Sequence, residues 1–449
     1  MLDSFYTRTY VWVRDRAHEF LNLPAWILVL AIYSASRLWD FAVFSAVGKQ
    51  QLAGPWGGPL GYQDFISTWD AGWYEQIART GYPDVLPVDY SGAVMENPWA
   101  FYPVFPYLAD TLSRVTGLSY YPAASLVALG SGFVAAVVIY YLFESSVLLL
   151  SHAREHSAKS SKEPSTEKKI QSAREESAQH ARTLALWGVA LVAFLPIAPV
   201  LQVPYAEATG LLFLAATLLA LVRGAYGRAV LWAIIACLSR PIGVPLGAAA
   251  GLWWALSLWL KLRANARVET AQRKKTGAVI ASSLPQLLSA LGICAAALLW
   301  PAIAWIRTGR VDAYTATETA WRGKHLAPFE PWIHQSRAYL GEWGLPLLIA
   351  LVIGYAIWSF SPVVRSVLHP VLNLFAGCYV LYLLIFLNPQ SSTFRLLLPL
   401  FVMALPVMAL SASRAYRMAL VLFGAAAGAG WVGWLWHWKQ LPTGGDYPP

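Results

Sequence analysis

Long apolar runs separated by polar segments dominate this chain. A helix needs roughly 20 apolar residues to cross the hydrocarbon of a bilayer, and on that basis the pattern predicts about eleven spans. The predicted spans are 24–47, 122–150, 183–200, 207–222, 229–240, 242–260, 280–306, 344–361, 370–388, 396–411 and 417–438. The run 229–240 is too short to cross alone, and Pro241 and Pro245 interrupt its continuation, so we expect a broken or shallow helix pair there.

Composition agrees with this pattern. The chain of 449 residues is 57% hydrophobic and only 13% charged, and its mean hydropathy is +0.48. The charged share is about half that of soluble domains. Its 22 Trp and 22 Tyr suit a protein with two membrane interfaces, where amphipathic rings settle at headgroup level. We therefore predict an all-α polytopic membrane protein, with 1–449 as one multi-span domain.

The sequence argues against several other features. Cys237, Cys294 and Cys378 lie far apart inside apolar runs, which is typical of small core residues rather than of disulfides or metal ligands. No Cys/His cluster has metal-site spacing, so we expect no metal and no other cofactor. The first apolar run begins near Pro24, is too long for a signal-peptide core and lacks a clear cleavage site, so no cleavable signal is expected.

The distribution of Lys and Arg predicts the topology. With a cytoplasmic N-terminus, about two thirds of the 33 basic residues fall in cytoplasmic segments, as the positive-inside rule requires. The loops 48–121 and 307–343 then lie outside, 151–182 is a charged, partly helical cytoplasmic linker, and the C-terminus is outside. The net charge of +9 thus indicates basic cytoplasmic loops in a plasma-membrane protein whose partner is the bilayer, not nucleic acid.

The stretch Trp69–Tyr74, in the first outside loop, sets the carboxylate of Asp70 among aromatic residues. One interpretation is structural, because Ser67-x-x-Asp70 fits a capping box. An apolar stripe at every fourth residue predicts one helix through this region, with Phe65, Trp69, Trp73 and Ile77 on one face. The other interpretation is catalytic, since a helix N-terminus keeps a carboxylate ionised and an ionised carboxylate can act as general base. The two roles are compatible.

Further polar residues fall on the same predicted face of the membrane. They are Asp64, Gln202, Tyr205, Glu207, Arg240, Arg322, Lys324, His325 and Arg395. Charged groups near hydrocarbon are expensive and usually have a partner or a task. Arg240 and Arg395 each fit either a plain ion pair or a phosphate clamp, because guanidinium presents a fork of donors matched to phosphate oxygens. Two pairs need no functional reading: Arg37 with Asp40, and Asp110 with Arg114.

Five ordered segments resemble the PIG-V family, the GPI mannosyltransferase II enzymes and their bacterial relatives. They are Trp69-Asp70 with Gly81-Tyr82-Pro83, the Ala-Phe-Tyr-Pro-Val-Phe-Pro run at 100–106, Pro-Tyr-Ala-Glu-Ala at 204–208, Ser-Arg-Pro-Ile-Gly at 239–243, and Phe394-Arg395-Leu396 with Pro399. They extend over about residues 37 to 410, nearly the whole predicted membrane scaffold.

The resemblance implies a GT-C type glycosyltransferase, of the bacterial, actinobacterial type. Such enzymes take a sugar from a polyprenyl-phosphate donor on the non-cytoplasmic face and invert the anomeric carbon. Asp70 matches the family's first-loop base, and Arg240 and Arg395 match its basic positions. The chain departs from the family in reading Tyr-Ala-Glu at 205–207, in the Leu after Arg395 and in the charged insertion 151–182. Its acceptor therefore need not be a GPI precursor.

The expected chemistry is mannosyl transfer to a glycolipid or glycan acceptor without a metal. Asp70 would be the base, Arg240 and Arg395 would bind the donor phosphate, and Glu207, Asp64 and Tyr205 would support or orient them. Six residues are assigned to the sugar and acceptor pocket: Trp69, Trp73, Tyr74, Tyr102, Arg322 and His325.

Three alternatives stay open. One is a polyprenyl-phosphate-arabinose donor. Another is a lipid or sugar transporter or flippase, in which intramembrane charges would mark a substrate path. The third is a non-catalytic assembly subunit, which would consume no donor. The absence of a visible repeat, the charges on one face and the long polar first loop argue against the transporter.

Overall fold

The computed structural model describes residues 23–159, 167–268, 274–321, 327–439 and 449. Within these ranges the regular secondary structure is α-helical, apart from short 3-10 and π segments and an isolated bridge between Val88 and Val94. The α-helices are α1 (Ala25–Gly48), α2 (Tyr62–Ile66), α3 (Ala71–Thr80), α4 (Val104–Thr116), α5 (Tyr120–Lys159), α6 (Glu167–Ala193), α7 (Glu207–Val222), α8 (Tyr226–Cys237), α9 (Gly243–Ala266), α10 (Thr276–Ala281), α11 (Leu284–Ala297), α12 (Leu299–Thr308), α13 (Ala313–Ala320), α14 (Glu330–Leu340), α15 (Gly344–Ser359), α16 (Pro362–Val367), α17 (Pro370–Phe386), α18 (Thr393–Leu396), α19 (Ala404–Ala409) and α20 (Arg414–Trp431).

Six helical stretches of the described chain are long and apolar enough to cross a membrane. They are Ala25–Gly48, Tyr120–Glu155, Gly243–Ala266, Leu284–Thr308, Glu330–Val367 and Arg414–Trp436. Four shorter apolar helices accompany them: Glu207–Val222, Tyr226–Cys237, Pro370–Phe386 and Leu398–Ala409. Large apolar side chains remain exposed along α15, including Leu351 and Ile357, as lipid-facing positions are. The fold is that of an all-α polytopic membrane protein.

The broken or shallow helix pair predicted at 229–260 is confirmed for its first helix and not for its second. Helix α8 has only 12 residues, so it is too short to cross a bilayer alone. Helix α9, however, runs unbroken for 24 residues, and the interruption expected at Pro245 was wrong. Pro245 lies in the first turn of α9, where the missing N–H has no intrahelical partner to lose. The break in the chain is confined to the segment around Arg240 and Pro241.

The charged linker 151–182 includes the end of one long helix and the start of the next. Helix α5 has 40 residues and α6 has 27, so both extend well beyond an apolar span. The predicted partly helical character of 151–182 is confirmed for 151–159 and 167–182, and the rest of the linker lies outside the described residues. Of the three free cysteines, Cys237 is buried as predicted, but Cys294 is exposed on α11, so its assignment to the core was wrong.

A buried ion pair fixes α1 against the end of α6. Arg37 contacts Asp40 at 3.0 Å, which confirms the predicted pair, and both side chains are almost fully buried. The same guanidinium donates to the carbonyl oxygens of Ala198 at 2.8 Å and Ala193 at 3.0 Å. These bonds satisfy carbonyl groups where α6 gives way to the next short segment, so one side chain strengthens the packing of α1 against the end of α6.

Replacing Arg37 by Ala should lower the free energy of unfolding by about 3–5 kcal/mol, because Asp40 would keep an uncompensated buried charge. The matched control is Arg114→Ala. Arg114 contacts Asp110 at 2.9 Å as predicted, but its side chain is 74% exposed, so the loss should be below about 1 kcal/mol. Thermal unfolding in detergent measures both, and equal losses would contradict the assigned role of Arg37.

Candidate active site

The first loop presents Asp70 at a strained turn between two helices. Helix α2 ends at Ile66 and α3 begins at Ala71, so the single helix predicted through this region was wrong. Ser67 does not cap α3 either, because its hydroxyl donates to the carbonyl of Gln63 at 2.7 Å. Between the helices Trp69 has φ +57°, a left-handed conformation uncommon outside glycine. Such a conformation persists only when its surroundings enforce it.

Tyr205 is one of the groups that enforce this turn. Its hydroxyl donates to the carbonyl of Thr68 at 3.0 Å and accepts from the backbone N–H of Asp70 at 2.9 Å. One side chain therefore bonds the residues on both sides of Trp69. Burial raises the pKa of Tyr205 well above its usual value, and the negative charge of Asp70 adds to the rise. The hydroxyl consequently stays protonated and available as a donor.

The C-terminal end of the chain supplies the second support. The indole N–H of Trp69 donates to the carbonyl of Trp436 at 3.2 Å. Trp436 in turn donates from its own indole to the carbonyl of Phe65 at 2.8 Å. The opposite side of Trp69 meets the ring of Trp56 edge-on, with centroids 5.0 Å apart. The turn is thus clamped by residues far away in the sequence.

Four charged residues form a continuous chain beside this turn. Asp70 Oδ2 lies 2.5 Å from Arg395, Arg395 lies 3.6 Å from Glu207 Oε1, and Glu207 Oε1 lies 3.3 Å from Arg240. Their side chains are between 2 and 19% exposed. The structure therefore brings together four of the residues singled out from the sequence. Their charges sum to zero, which is what burial of so many ionic groups demands.

Local backbone explains why each charge reaches this point. Asp70 makes no side-chain cap to α3, so its carboxylate is free to face Arg395. Glu207 is the first residue of α7, where the positive end of the helix favours a negative charge. A Cβ at Gly210 would lie 2.5 Å from Cγ of Arg240, so glycine leaves room for that side chain to cross α7. Arg395 lies over the ring of Tyr205, 5.5 Å from its centroid.

A small cavity of about 30 Å³ adjoins these charges, with room for about two water molecules. Its lining combines the charged chain with an apolar wall: Glu207, Arg240, Arg395, Gly210, Leu211, Leu214, Pro241, Ile242, Tyr379, Leu396, Leu398 and Pro399. Glu207 Oε2 and Nε of Arg395 are buried without a hydrogen bond to any described residue, whereas Glu207 Oε1 has its two arginine contacts. Two polar atoms beside the cavity therefore keep unused hydrogen-bonding capacity.

An aromatic wall begins at Trp73, directly after the Asp70 turn. Trp73 stacks on Phe101 with centroids 5.7 Å apart and an interplanar angle of 15°. Trp321 meets Trp73 edge-on at 5.5 Å and Phe101 at 5.8 Å. Tyr74 is buried beneath, with its ring 5.3 Å from Phe101. Trp73 is only partly buried, so this wall offers aromatic surface three residues along the chain from Asp70.

Other residues assigned to the site lie elsewhere. Tyr102 is buried in a separate aromatic cluster, where its hydroxyl meets that of Tyr314 at 2.7 Å. Asp64 is exposed on α2 and has no ion pair or hydrogen bond from its side chain to another described residue. Arg322 and His325 lie outside the described residues. Their assignments stay predictions.

Several site residues were not anticipated from the sequence. Trp436 and Trp321 belong to segments whose aromatic richness is their only signal, and that signal is shared by many other parts of the chain. Phe101 lies in the motif at 100–106, but its neighbour Tyr102 was assigned to the pocket instead. Glu96 is a further acidic group near the site. Partial burial raises its pKa, and the negative charge of Asp70 raises it further. Within the described ranges, no group of three or more His, Cys, Asp or Glu residues is arranged to hold a metal ion.

Comparison with known proteins assigns no family to the chain. No protein-family model matches it, and no curated protein has a matching sequence. The likeness to the GPI mannosyltransferase II family therefore stays a prediction from the ordered motifs.

Replacing Tyr205 by Phe should lower the free energy of unfolding by about 1–3 kcal/mol, because the Asp70 N–H and the Thr68 carbonyl lose their partner. Tyr74→Phe is the matched control, since Tyr74 packs 6.1 Å from the Tyr205 ring and its hydroxyl bonds to no other described residue. Thermal unfolding compares the two variants. A Tyr205→Phe protein no less stable than the Tyr74→Phe protein would disprove the clamp.

Proposed function

We propose that this chain is an inverting glycosyltransferase of the GT-C type that moves a mannosyl residue from a polyprenyl-phosphate donor to a glycolipid or glycan acceptor. The observation that carries the proposal is the contact of Asp70 with Arg395, in a chain of charges that ends at an apolar-walled cavity. A carboxylate for the acceptor, arginines for a phosphate and apolar surface for a lipid tail thus adjoin one another. Transfer from a polyprenyl-phosphate sugar to a hydroxyl acceptor is a reaction that uses all three.

Asp70 is the general base in this mechanism. Its Oδ2 is engaged by Arg395, and Oδ1 takes the proton from an acceptor hydroxyl as that oxygen attacks C1 of the sugar. The new glycosidic bond forms while the bond from C1 to the donor phosphate oxygen breaks. The leaving group is polyprenyl phosphate, and Asp70 later returns the proton to water. Attack opposite the leaving group inverts the anomeric centre.

Arg240 and Arg395 receive the phosphate. Each guanidinium offers a fork of donors that matches phosphate oxygens and stabilises the charge that develops on departure. The resting cluster is already neutral, so a donor phosphate must compete with Asp70 and Glu207 for the arginines. Contact of the phosphate with Arg395 weakens its pairing with Asp70 and leaves the carboxylate more basic. Because two arginines neutralise the leaving group, the mechanism requires no metal.

The apolar side of the cavity suits the donor's tail. Leu211, Leu214 and Leu398 lie next to the arginines, so an isoprenoid chain can continue from the phosphate between helices. The cavity of about 30 Å³ is much smaller than a sugar phosphate, so donor binding requires the arginine side chains to move apart. The aromatic wall of Trp73 and Phe101 then faces the sugar, because aromatic rings pack well against its C–H groups.

The proposal includes a topology. Eleven spans with a cytoplasmic N-terminus would put the Asp70 turn, Glu207, Arg240 and Arg395 at the extracytoplasmic face of the plasma membrane. The proposal counts the six long apolar stretches, the four shorter apolar helices and the apolar end of α6 as its eleven segments. It requires α8, which is too short to cross alone, to complete its crossing with the segment around Arg240. Polyprenyl-phosphate sugars on that face would reach the site from within the bilayer.

Asp70→Asn should lower the rate of mannosyl transfer about 100- to 10,000-fold, the usual contribution of a general base, with little change of shape. Glu75→Gln is the control, because Glu75 lies on the same helix and pairs with Arg79 at 2.6 Å, away from Arg395. The assay supplies labelled polyprenyl-phosphate mannose and host lipids to purified protein and follows label into the product. A folded Asp70→Asn protein with full activity would exclude the base assignment.

The same assay separates the alternatives. If label is transferred only from polyprenyl-phosphate arabinose, the donor sugar is arabinose and not mannose. If purified protein in sealed vesicles moves the substrate across the membrane without covalent change, the protein is a transporter and not an enzyme.

Arg240→Gln should raise the KM for the donor about tenfold, equivalent to the loss of about one charge-assisted contact to the phosphate. The control is Arg310→Gln, since Arg310 is exposed and pairs with Asp312 at 2.8 Å. Initial rates at varied donor concentration measure both. An unchanged donor KM in the Arg240 variant would remove this residue from the phosphate site.

A further inference from the structure

A second cavity, which shares no lining residue with the first, lies between α5, α7 and α8. Its volume is about 270 Å³, and three helices wall it with mainly apolar residues. The lining residues are Val134, Val138, Leu212, Phe213, Ala216, Leu219, Ala220, Arg223, Ala225, Arg228 and Trp232. We call it the hairpin groove, because α7 and α8 form a helical hairpin turning at Gly224, which has φ +66°.

The two ends of the hairpin groove differ in chemistry. Phe213 stacks on Trp232 at one end, with centroids 5.9 Å apart and an interplanar angle of 30°. Arg223 and Arg228 lie at the other end, on either side of the turn. Phe213 and Arg223 are ten residues apart on α7 or at its end, so the groove is about 15 Å long. Val134 is exposed at its edge, so the groove opens to the surroundings of the helices.

Neither arginine has an acidic partner among the described residues. Arg223 donates from Nε to the hydroxyl of Ser145 at 3.1 Å and lies 5.9 Å from the centroid of the Tyr141 ring. These contacts orient the guanidinium, which is exposed and has no carboxylate paired with it in the described chain. Arg228 makes no hydrogen bond or ion pair with its side chain in the described part of the chain. In contrast, the buried arginines of the candidate active site are matched by two carboxylates.

We propose that the hairpin groove binds an anionic phospholipid of the bilayer, with one acyl chain along the apolar wall and the phosphate between Arg223 and Arg228. The occupant follows from the arrangement of charge and apolar surface. An apolar slot about 15 Å long accepts a hydrocarbon chain, and two unmatched guanidinium groups at its end accept a phosphate. On the predicted topology the arginines are cytoplasmic, at the leaflet whose anionic lipids attract basic residues. The site is separate from the proposed transferase chemistry.

The test is retention of phosphatidylglycerol by the full chain, against phosphatidylcholine at equal mole fraction, measured by native mass spectrometry from mixed micelles. The double variant Arg223→Gln with Arg228→Gln should retain about tenfold less phosphatidylglycerol than the unmodified protein. This loss corresponds to about one charge-assisted contact. The matched control, Lys261→Gln with Arg263→Gln, removes the same charge from the end of α9. It should retain phosphatidylglycerol as the unmodified protein does.

A groove-filling variant, Ala216→Phe, tests the chain-binding part without changing charge. It should also reduce retention of phosphatidylglycerol, because the acyl chain loses its slot. Equal losses in the two charge variants would show general headgroup attraction and overturn the proposal, as would full retention by Ala216→Phe. A preference for polyprenyl phosphate over phosphatidylglycerol would overturn the choice of occupant.

Discussion

The chain of charges from Asp70 through Arg395 and Glu207 to Arg240 is the constraint on which the site depends. It joins the first loop, the start of α7, the break after α8 and the short helix α18. Each of these charges would be costly alone in so apolar a protein, and together they neutralise one another. The geometry of four distant segments is therefore fixed by electrostatic need as well as by packing.

That neutrality has a mechanistic consequence. A cluster with balanced charges is stable at rest, but its arginines attract any phosphate that reaches them, and a phosphate can take the position of a carboxylate. Oε2 of Glu207 and Nε of Arg395 make no hydrogen bond to a described residue, so the resting arrangement leaves these two polar groups unsatisfied. In the proposed enzyme, exchange of Asp70 for the donor phosphate at Arg395 links donor binding to release of the base.

The turn at Trp69 serves the same arrangement. The left-handed conformation of Trp69 separates α2 from α3. Asp70 therefore precedes the first residue of α3, and its carboxylate contacts Arg395. Tyr205 and Trp436 maintain that conformation from the far parts of the chain. Strain in the backbone and its external supports occur together at functional sites, because a precise position for one side chain outweighs the local cost.

The sequence predicted the helical membrane fold and the grouping of Asp70, Glu207, Arg240 and Arg395, because apolar length and buried charge are strong local signals. It failed where distant residues decide the backbone. The period of four through Trp69 predicted one helix, but Tyr205 stabilises a turn that no local pattern encodes. Tyr102 illustrates the same limit, since aromatic residues near a motif can belong to another cluster. Arg37 was predictable, because its partner lies one turn away.

A structure of the protein with bound polyprenyl-phosphate mannose tests the central claim most directly. The account predicts the donor phosphate within hydrogen-bond distance of Arg240 and Arg395, the tail against Leu211 and Leu214, and Asp70 further from Arg395 than its present 2.5 Å. The sugar should lie between Asp70 and Trp73. A donor bound elsewhere, with the Asp70–Arg395 contact intact, would contradict the account.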